Sequence, residues 1–456
     1  VTIDGENYGP AVVQYYYQTA LNTAYYNSMM GASTFDYSVD PAEQVYDEES
    51  GQTWRDYLLD QAIDDLTQVT ALVHTAESEG YTLPQKDQAY LESQLNSLDS
   101  VWRSNSSYDS LSSYLKLNYG SYMDEDTFRQ IYADQVLADS YRQHYQDSLT
   151  YTDEAVETYY SEHANDLDTF GYTVFTVQAT VEEQTDEEGN TVEMTDEEKT
   201  AALETAKADA LATAQAIQSR LTNGEDAQAL ADEYADALYS SSIHTTAMGS
   251  TFSSAAYADW LYDAARQSGD ITLAELDRSE SSAYNYYVVQ FDSRTRDDSA
   301  TADVRHILIG AASSGTTPTQ EEFDAAEAEA QALLDQWKAG DATEDSFAAL
   351  AVQNTDDSGS QSTGGLYTGI SSTDSLEPNF LNWALDPARQ PGDTGIVKNE
   401  SSSIQGWHIM YFVGWDDPAW EYTVKSTWKT DDTSEWLSSL TENLETVRGS
   451  GLNYVS

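Results

Sequence analysis

The sequence predicts an α+β chain of several domains, with a helical N-terminal part followed by two similar domains built on small antiparallel sheets. Residues 1 to about 165 repeat Tyr, Leu, Ala and Val at three- and four-residue steps, the helical period. Residues from about 168 to 297 and from about 300 to 415 are two copies of one pattern. Within the second copy, two apolar runs each read as a strand holding a single histidine: Val304 to Ile309 with His306, and Trp407 to Phe412 with His408.

Val1 to Glu6 reads as a short opening strand, and Gly9-Pro10 starts a series of helices near 10–30, 52–79, 84–102, 107–118, 124–148 and 152–164. The stripe of Tyr15, Tyr16 and Tyr17 reads as core or groove lining. Each copy then opens on a strand (171–179, 303–311) followed by an Ala-rich helix (201–221, 321–338). Between them in the first copy, Gly189-Asn190 suggests a hairpin tip and Thr195 a helix cap. The repeat is clearest where Trp260 to Asp270 meets Trp383 to Asp393, identical at seven of eleven positions. Tyr286 to Phe291 and Trp407 to Phe412 form the matching last strands, and the polar stretch 292–299 is the linker. Beyond the second copy, Trp420 to Trp428 alternates like a strand and Thr433 to Val447 reads as a helix capped by Thr433. Residues 418–456 are expected to dock back on the helical N-terminal domain, since a terminal segment stays ordered only when tied down.

A net charge of -60, from 20 Lys plus Arg against 80 Asp plus Glu, excludes nucleic acid as a natural partner, because phosphates would be repelled. With 40% hydrophobic residues the chain has the material for packed cores. The absence of cysteine removes disulfides and thiolate metal sites, and suits a secreted bacterial protein. No apolar run is long enough to span a membrane. The start at Val1, without methionine, suggests that a leader was removed, and any lipid or signal anchor would lie outside the chain.

Between the two histidine strands come Asn354 to Ser358, then Gly364-Gly365-Leu366, then Leu376-Glu377-Pro378-Asn379-Phe380. That order resembles the parvulin family of peptidyl-prolyl isomerases. The resemblance implies a βαααβαββ domain in which His306 and His408 are paired and Asp357 is the polar residue that approaches the prolyl amide. It makes Leu366, Leu376 and Phe380 the proline pocket and gives Gln405 a hydrogen-bonding position. Two departures stand out: Gly364-Gly365 continues into Leu366-Tyr367 where the family has Asp-Leu, and residues 310–320 carry no Lys or Arg with which to read a phosphate.

The reaction makes these residue types reasonable. An amide torsion crosses about 18–20 kcal/mol unaided, and removing about 4 kcal/mol gives roughly a thousandfold acceleration. A dry pocket and one polar group suffice, so no cofactor and no metal is expected. Two facing histidines can also be a satisfied core pair, and two His with one carboxylate can form a metal site, but the spacing offers no HxH or HExxH. By the same alignment the first copy has Val174, Ala237, Tyr287 and Tyr257 where the second has His306, Asp357, His408 and Phe380, so it reads as a degenerate parvulin-like module for binding or spacing. With a chaperone-like helical domain in front, the whole resembles extracytoplasmic foldases of the PrsA and SurA type. The implied partners are unfolded or partly folded exported polypeptides containing X-Pro bonds. The alternative is a holdase chaperone in which both parvulin-like domains are non-catalytic scaffolds.

Overall fold

The computed structural model describes residues 1–104, 108–181, 194–278 and 283–455. It is an α+β chain with a helical N-terminal region and small sheets, and it divides into two compact units: Val1–Thr150 with Ala300–Asp417 and Lys425–Ser456, and Tyr151–Ser299 with Pro418–Val424.

The opening residues form a hairpin rather than one strand. β1 (Thr2–Ile3) and β2 (Glu6–Asn7) pair across Asp4 and Gly5, both with positive φ (49° and 84°), the geometry that an Asp-Gly turn adopts readily. α1 (Pro10–Met29) starts on Pro10, whose fixed φ suits a first helical turn. β3 (Val45–Asp47) and β4 (Gln52–Thr53) lead into α2 (Trp54–Glu79), which Thr53 caps and Gly80 ends in the left-handed conformation. α3 (Gln85–Ser104), α4 (Leu111–Tyr119) and α5 (Glu125–Ser148) complete the region. Its core gathers Tyr16, Tyr17, Leu58, Ile63, Leu115 and Phe128, and Tyr15 stacks on Tyr119 with ring centroids 5.3 Å apart, so the tyrosine stripe is core.

The second unit runs α6 (Asp153–Leu167), β5 (Thr169–Ala179), α7 (Asp196–Thr222), α8 (Ala227–Glu233), β6 (Ser240–Met248), α9 (Ala258–Tyr262), β7 (Ile271–Arg278) and β8 (Ala283–Thr295), with strand order β6-β5-β8-β7. Thr195 caps α7 in a reciprocal box with Glu198. The Gly189-Asn190 tip lies outside the described residues.

β9 (Ala300–Gly310), α10 (Gln320–Ala339), α11 (Glu344–Asn354), β10 (Leu366–Ile370), α12 (Pro378–Ala384), β11 (Thr394–Asn399) and β12 (Gly406–Pro418) follow, with the same strand order, β10-β9-β12-β11. Two helices, not the expected three, precede β10; residues 358–364 form successive turns instead, ending on Gly364 at φ 67°. The same bonds occur within each of the two four-stranded sheets' domains. Arg266 lies 4.8 Å over the Trp260 ring and pairs with Asp263, as Arg389 lies 4.3 Å over Trp383 and pairs with Asp386. Gly269 donates its N–H to Phe291 O as Gly392 does to Phe412 O.

α13 (Ala419–Thr441) corrects the strand expected at 420–428. Trp420 and Val424, four apart and both buried, fit an alternating pattern and a helical one equally, and packing selects the helix. Thr433 is an interior helical residue whose Oγ1 donates to Lys429 O, not a cap. Within the first unit, Trp436 stacks on Tyr145 at 3.8 Å, Arg55 donates to the carbonyls of Leu452 and Val455, and β13 (Thr446–Val447) adds to β1. Among the described residues no helix is long and apolar enough to cross a membrane.

Candidate functional site

β9 is buried on both sides, and alternation sorts its side chains. Ile307 and Ile309 pack with Ala330, Leu334 and Phe347 of the two helices α10 and α11. Ala302 and Val304 pack with Phe380 and Trp383 of α12 and with Met410 and Phe412 of β12. His306 and His408 carry even numbers on the same strands and share this second face. Both are buried (3% and 6% exposed), so each needs a polar partner within the fold.

They find it in each other. His306 Nδ1 lies 3.0 Å from His408 Nδ1, and His306 Nε2 lies 3.0 Å from Asp357 Oδ2. Ser360 Oγ donates to the same Asp357 oxygen at 2.6 Å and sits 3.1 Å from His306 Nε2, while Tyr367 reaches that oxygen through its hydroxyl at 3.3 Å. The bond from His306 first, then those from Ser360 and the Gly359 N–H, hold the Asp357 carboxyl well below the usual carboxylate range despite partial burial. An ionised Asp357 only accepts, so His306 Nε2 donates; in a neutral ring His306 Nδ1 then accepts from His408 Nδ1–H. Burial, with His306 a smaller cause, lowers His408 to about 3 and keeps it neutral.

The backbone fixes this chain of bonds. Thr355 Oγ1, at the end of α11, accepts from the N–H groups of both Leu308 and Asp357, tying the loop to β9. Gly365 (φ 73°) accepts from His306 N, and a Cβ at Gly365 would lie 2.0 Å from His306 O, so only glycine lets the loop approach the strand.

The network borders a cleft of about 360 Å³ whose lining includes Leu308, Tyr367, Leu376, Phe380 and Ile404. The Phe380 ring meets both imidazoles edge-on, at 5.4 Å from His306 and 5.2 Å from His408. Leu366 and Gln405 are placed elsewhere. Leu366 pairs with Arg305 and leaves the cleft face to its neighbour Tyr367, because adjacent strand residues point to opposite sides. The Gln405 amide donates to Glu400 O, and its neighbour Ile404 lines the cleft. Ser360 and Tyr367 are site residues that sequence reasoning misses. The Gly-Gly-Leu-Tyr departure from the family pattern is a signal for Tyr367, whereas nothing in the sequence marks Ser360 among its serine-rich neighbours.

In the first copy the corresponding face is filled. Val174 is buried in a cluster with Tyr172, Phe252 and Tyr257, and the Tyr257 and Tyr287 rings meet at 5.4 Å.

Residues 306–414 match the family model of the PPIC-type PPIASE domain, a rotamase. No curated protein matches the chain. This stretch is a parvulin-type rotamase domain; it gives the chain peptidyl-prolyl cis–trans isomerase activity, with X-Pro-containing polypeptides as substrates.

Proposed function

We propose that the chain is an extracytoplasmic foldase: an isomerase of X-Pro bonds in exported polypeptides that also holds extended clients through its helical region. The observation that carries the catalytic half is the unbroken chain His408–His306–Asp357 along a cleft with an apolar floor. The proline ring rests on Leu376, Phe380 and Tyr367, and the preceding carbonyl lies beside Asp357. The apolar floor of the cleft weakens the charge-separated resonance form that gives the C–N bond its double-bond character, and the fixed negative charge of Asp357 opposes charge on the carbonyl oxygen. The histidines act by positioning: His306 orients the carboxylate, and His408, kept neutral, orients His306.

The holding half is supported by a second cleft of about 580 Å³ in the helical region, where Tyr46, Trp54 and Tyr57 form an aromatic wall beside Thr23, Asn27 and Asp65. Tyr46 stacks on Tyr57 with centroids 3.9 Å apart. Such a surface can take apolar side chains and backbone amides together. The first copy, with aromatic packing where the second has its polar network, is a degenerate parvulin-like module for binding or spacing. The cysteine-free, acidic composition favours a location outside the cytoplasm.

The test uses the full chain and its Asp357→Ala variant in two assays, isomerisation of a prolyl peptide and suppression of aggregation of an unfolded client. Loss of the first with retention of the second is the expected result. Retention of full isomerisation would make the network structural, and loss of both would remove the separate holding function.

A further inference from the structure

The cleft carries more information than a proline pocket needs, because its rim has one sign of charge. Asp356, Asp357 and Glu377 line it, together with Ser358, Ser375 and Ser403, and no Lys or Arg does. The nearby cation Lys398 is paired with Glu400 at 2.8 Å and lies over the Phe323 ring.

Two of these carboxylates are anchored by backbone bonds that leave acceptor capacity over. Asp356 Oδ2 accepts from Gly310 N at 2.8 Å, and its Oδ1 has no hydrogen-bond partner among the described residues. Glu377 Oε2 accepts from Phe380 N at 2.9 Å and its Oε1 from Asn379 Nδ2 at 3.3 Å, fixing it at the start of α12 with one acceptor position still open on each oxygen. Anchored acceptors lose little freedom when they meet a ligand. Asp357 Oδ2 is engaged by His306, Ser360 and Tyr367, so the more open acceptor beside it is its neighbour Asp356.

We infer that this cleft selects a cationic side chain, Lys or Arg, at the residue immediately before the proline, and that Asp356 with support from Glu377 reads it. The inference rests on the isomerase reading above: if the X–Pro carbonyl lies beside Asp357, residue X lies beside Asp356. An acidic or phosphorylated X meets three carboxylates and no compensating cation, and is rejected.

The experiment measures kcat/KM of the full chain on three peptides that differ only before the proline, carrying Lys, norleucine or Glu. Norleucine matches the Lys stem without its charge. At low salt the expected order is Lys over norleucine by roughly three- to tenfold, as two partly exposed ion pairs allow, with Glu slowest. The Lys advantage should fall below about twofold near 1 M salt, where the Debye length is about 3 Å. Asp356→Asn and Glu377→Gln each keep an oxygen for the anchoring N–H and should each reduce the Lys-to-norleucine ratio.

A ratio near one in the unmodified chain overturns the inference and leaves the isomerase reading standing. A ratio that survives both substitutions also overturns it, since the pair alters the net charge of -60 by only two units and the preference would then belong to the whole surface. No acceleration of any of the three peptides removes the isomerase reading, and the inference with it.

Discussion

His306 Nδ1 and His408 Nδ1 lie 3.0 Å apart across 102 positions of sequence, a buried pair that makes the stability of the domain depend on pH. Burial, then His306, lowers His408 to about 3 from its ordinary 6.5. The folded state thus binds this proton less readily than the unfolded chain does, so the contribution to stability is fully present above pH 6.5 and is lost as pH falls toward 3. A tenfold difference in proton affinity is worth about 1.4 kcal/mol, so the loss amounts to a few kcal/mol. Denaturant unfolding followed from about pH 7 to pH 4 should show it. His408→Gln, which offers His306 an amide that does not titrate, should flatten that part of the profile; an equally steep fall in the variant would assign the effect to another group.

Asp357 gives a separate, lower step. Its carboxyl is held below the ordinary 3.8, so its contribution is present above that pH and disappears only below it. Asp357→Ala leaves His306 Nε2 and Ser360 Oγ without their shared acceptor, which should cost about 1–3 kcal/mol of stability. Isomerisation should slow by roughly 10- to 100-fold, with the effect mainly in kcat, since the carboxylate opposes the charge-separated planar amide and that opposition is relieved as the bond twists. Stopped-flow isomerisation alongside thermal unfolding separates the two effects, and an unchanged kcat in a folded variant would count against the role given to the carboxylate.

Phe380 is both pocket and core. It is 3% exposed, packs with Val304, Trp383 and Met410, and touches both imidazole rings. Phe380→Ala should therefore destabilise by about 3–5 kcal/mol as well as raise KM, whereas Phe380→Leu should keep the fold and raise KM alone. Equal stability of the Ala variant and the unmodified chain would mean that the ring is not part of the core.

How much of this is legible in the sequence depends on what each residue does locally. The histidines show because a polar residue interrupting an apolar strand demands an explanation, and Asp357 shows only through its place in a loop of recognisable order. Sequence order points to Leu366 where the fold uses Tyr367, because a one-residue difference along a strand changes the face and the order alone does not say which face a loop delivers. Ser360 is invisible because its role comes from a loop that brings it within 2.6 Å of Asp357. The start of the helix at 419–441 reads as a strand because residues four apart satisfy both periods.

Gly365 shows how tightly the loop is held to the strand. Its φ of 73° disfavours any side chain, and a Cβ there would sit 2.0 Å from His306 O, a backbone atom with no room to move. Gly365→Ala should displace the loop that carries Ser360 and Asp357 or unfold the domain. Gly315 makes a fair control: it also has positive φ (77°), yet nothing lies within 4 Å of its would-be Cβ. Gly315→Ala should cost no more than about 1–2 kcal/mol of backbone strain and leave isomerisation intact. Thermal unfolding and isomerisation of both variants make the comparison, and similar damage from the two substitutions would show that the close approach at Gly365 is not what matters.

The helix that carries the catalytic loop is itself held by a helix of the N-terminal region. α11 packs against α3 of the helical region, with Ala89 on one side and Ala349 and Val352 on the other, all buried and flanked by Tyr90. α11 ends at Asn354, and the next residue, Thr355, bonds the N–H groups of Leu308 and Asp357. A change at the α3 contact is therefore only a few residues from the site, though it touches neither the cleft nor the histidines. Ala349→Phe adds a ring where two helices are in close contact, and should cost about 1–3 kcal/mol through overpacking. If the helix shifts to relieve the strain, Thr355 and Asp357 move with it and kcat falls while the affinity for a prolyl peptide, set by Phe380 and Leu376, holds. Ala89→Gly, which creates space at the same contact without forcing the helix to move, should leave kcat nearly unchanged. Full kcat in a folded Ala349→Phe protein would show that the loop is held by β9 alone, through Thr355, and that the helical region has no say in the chemistry.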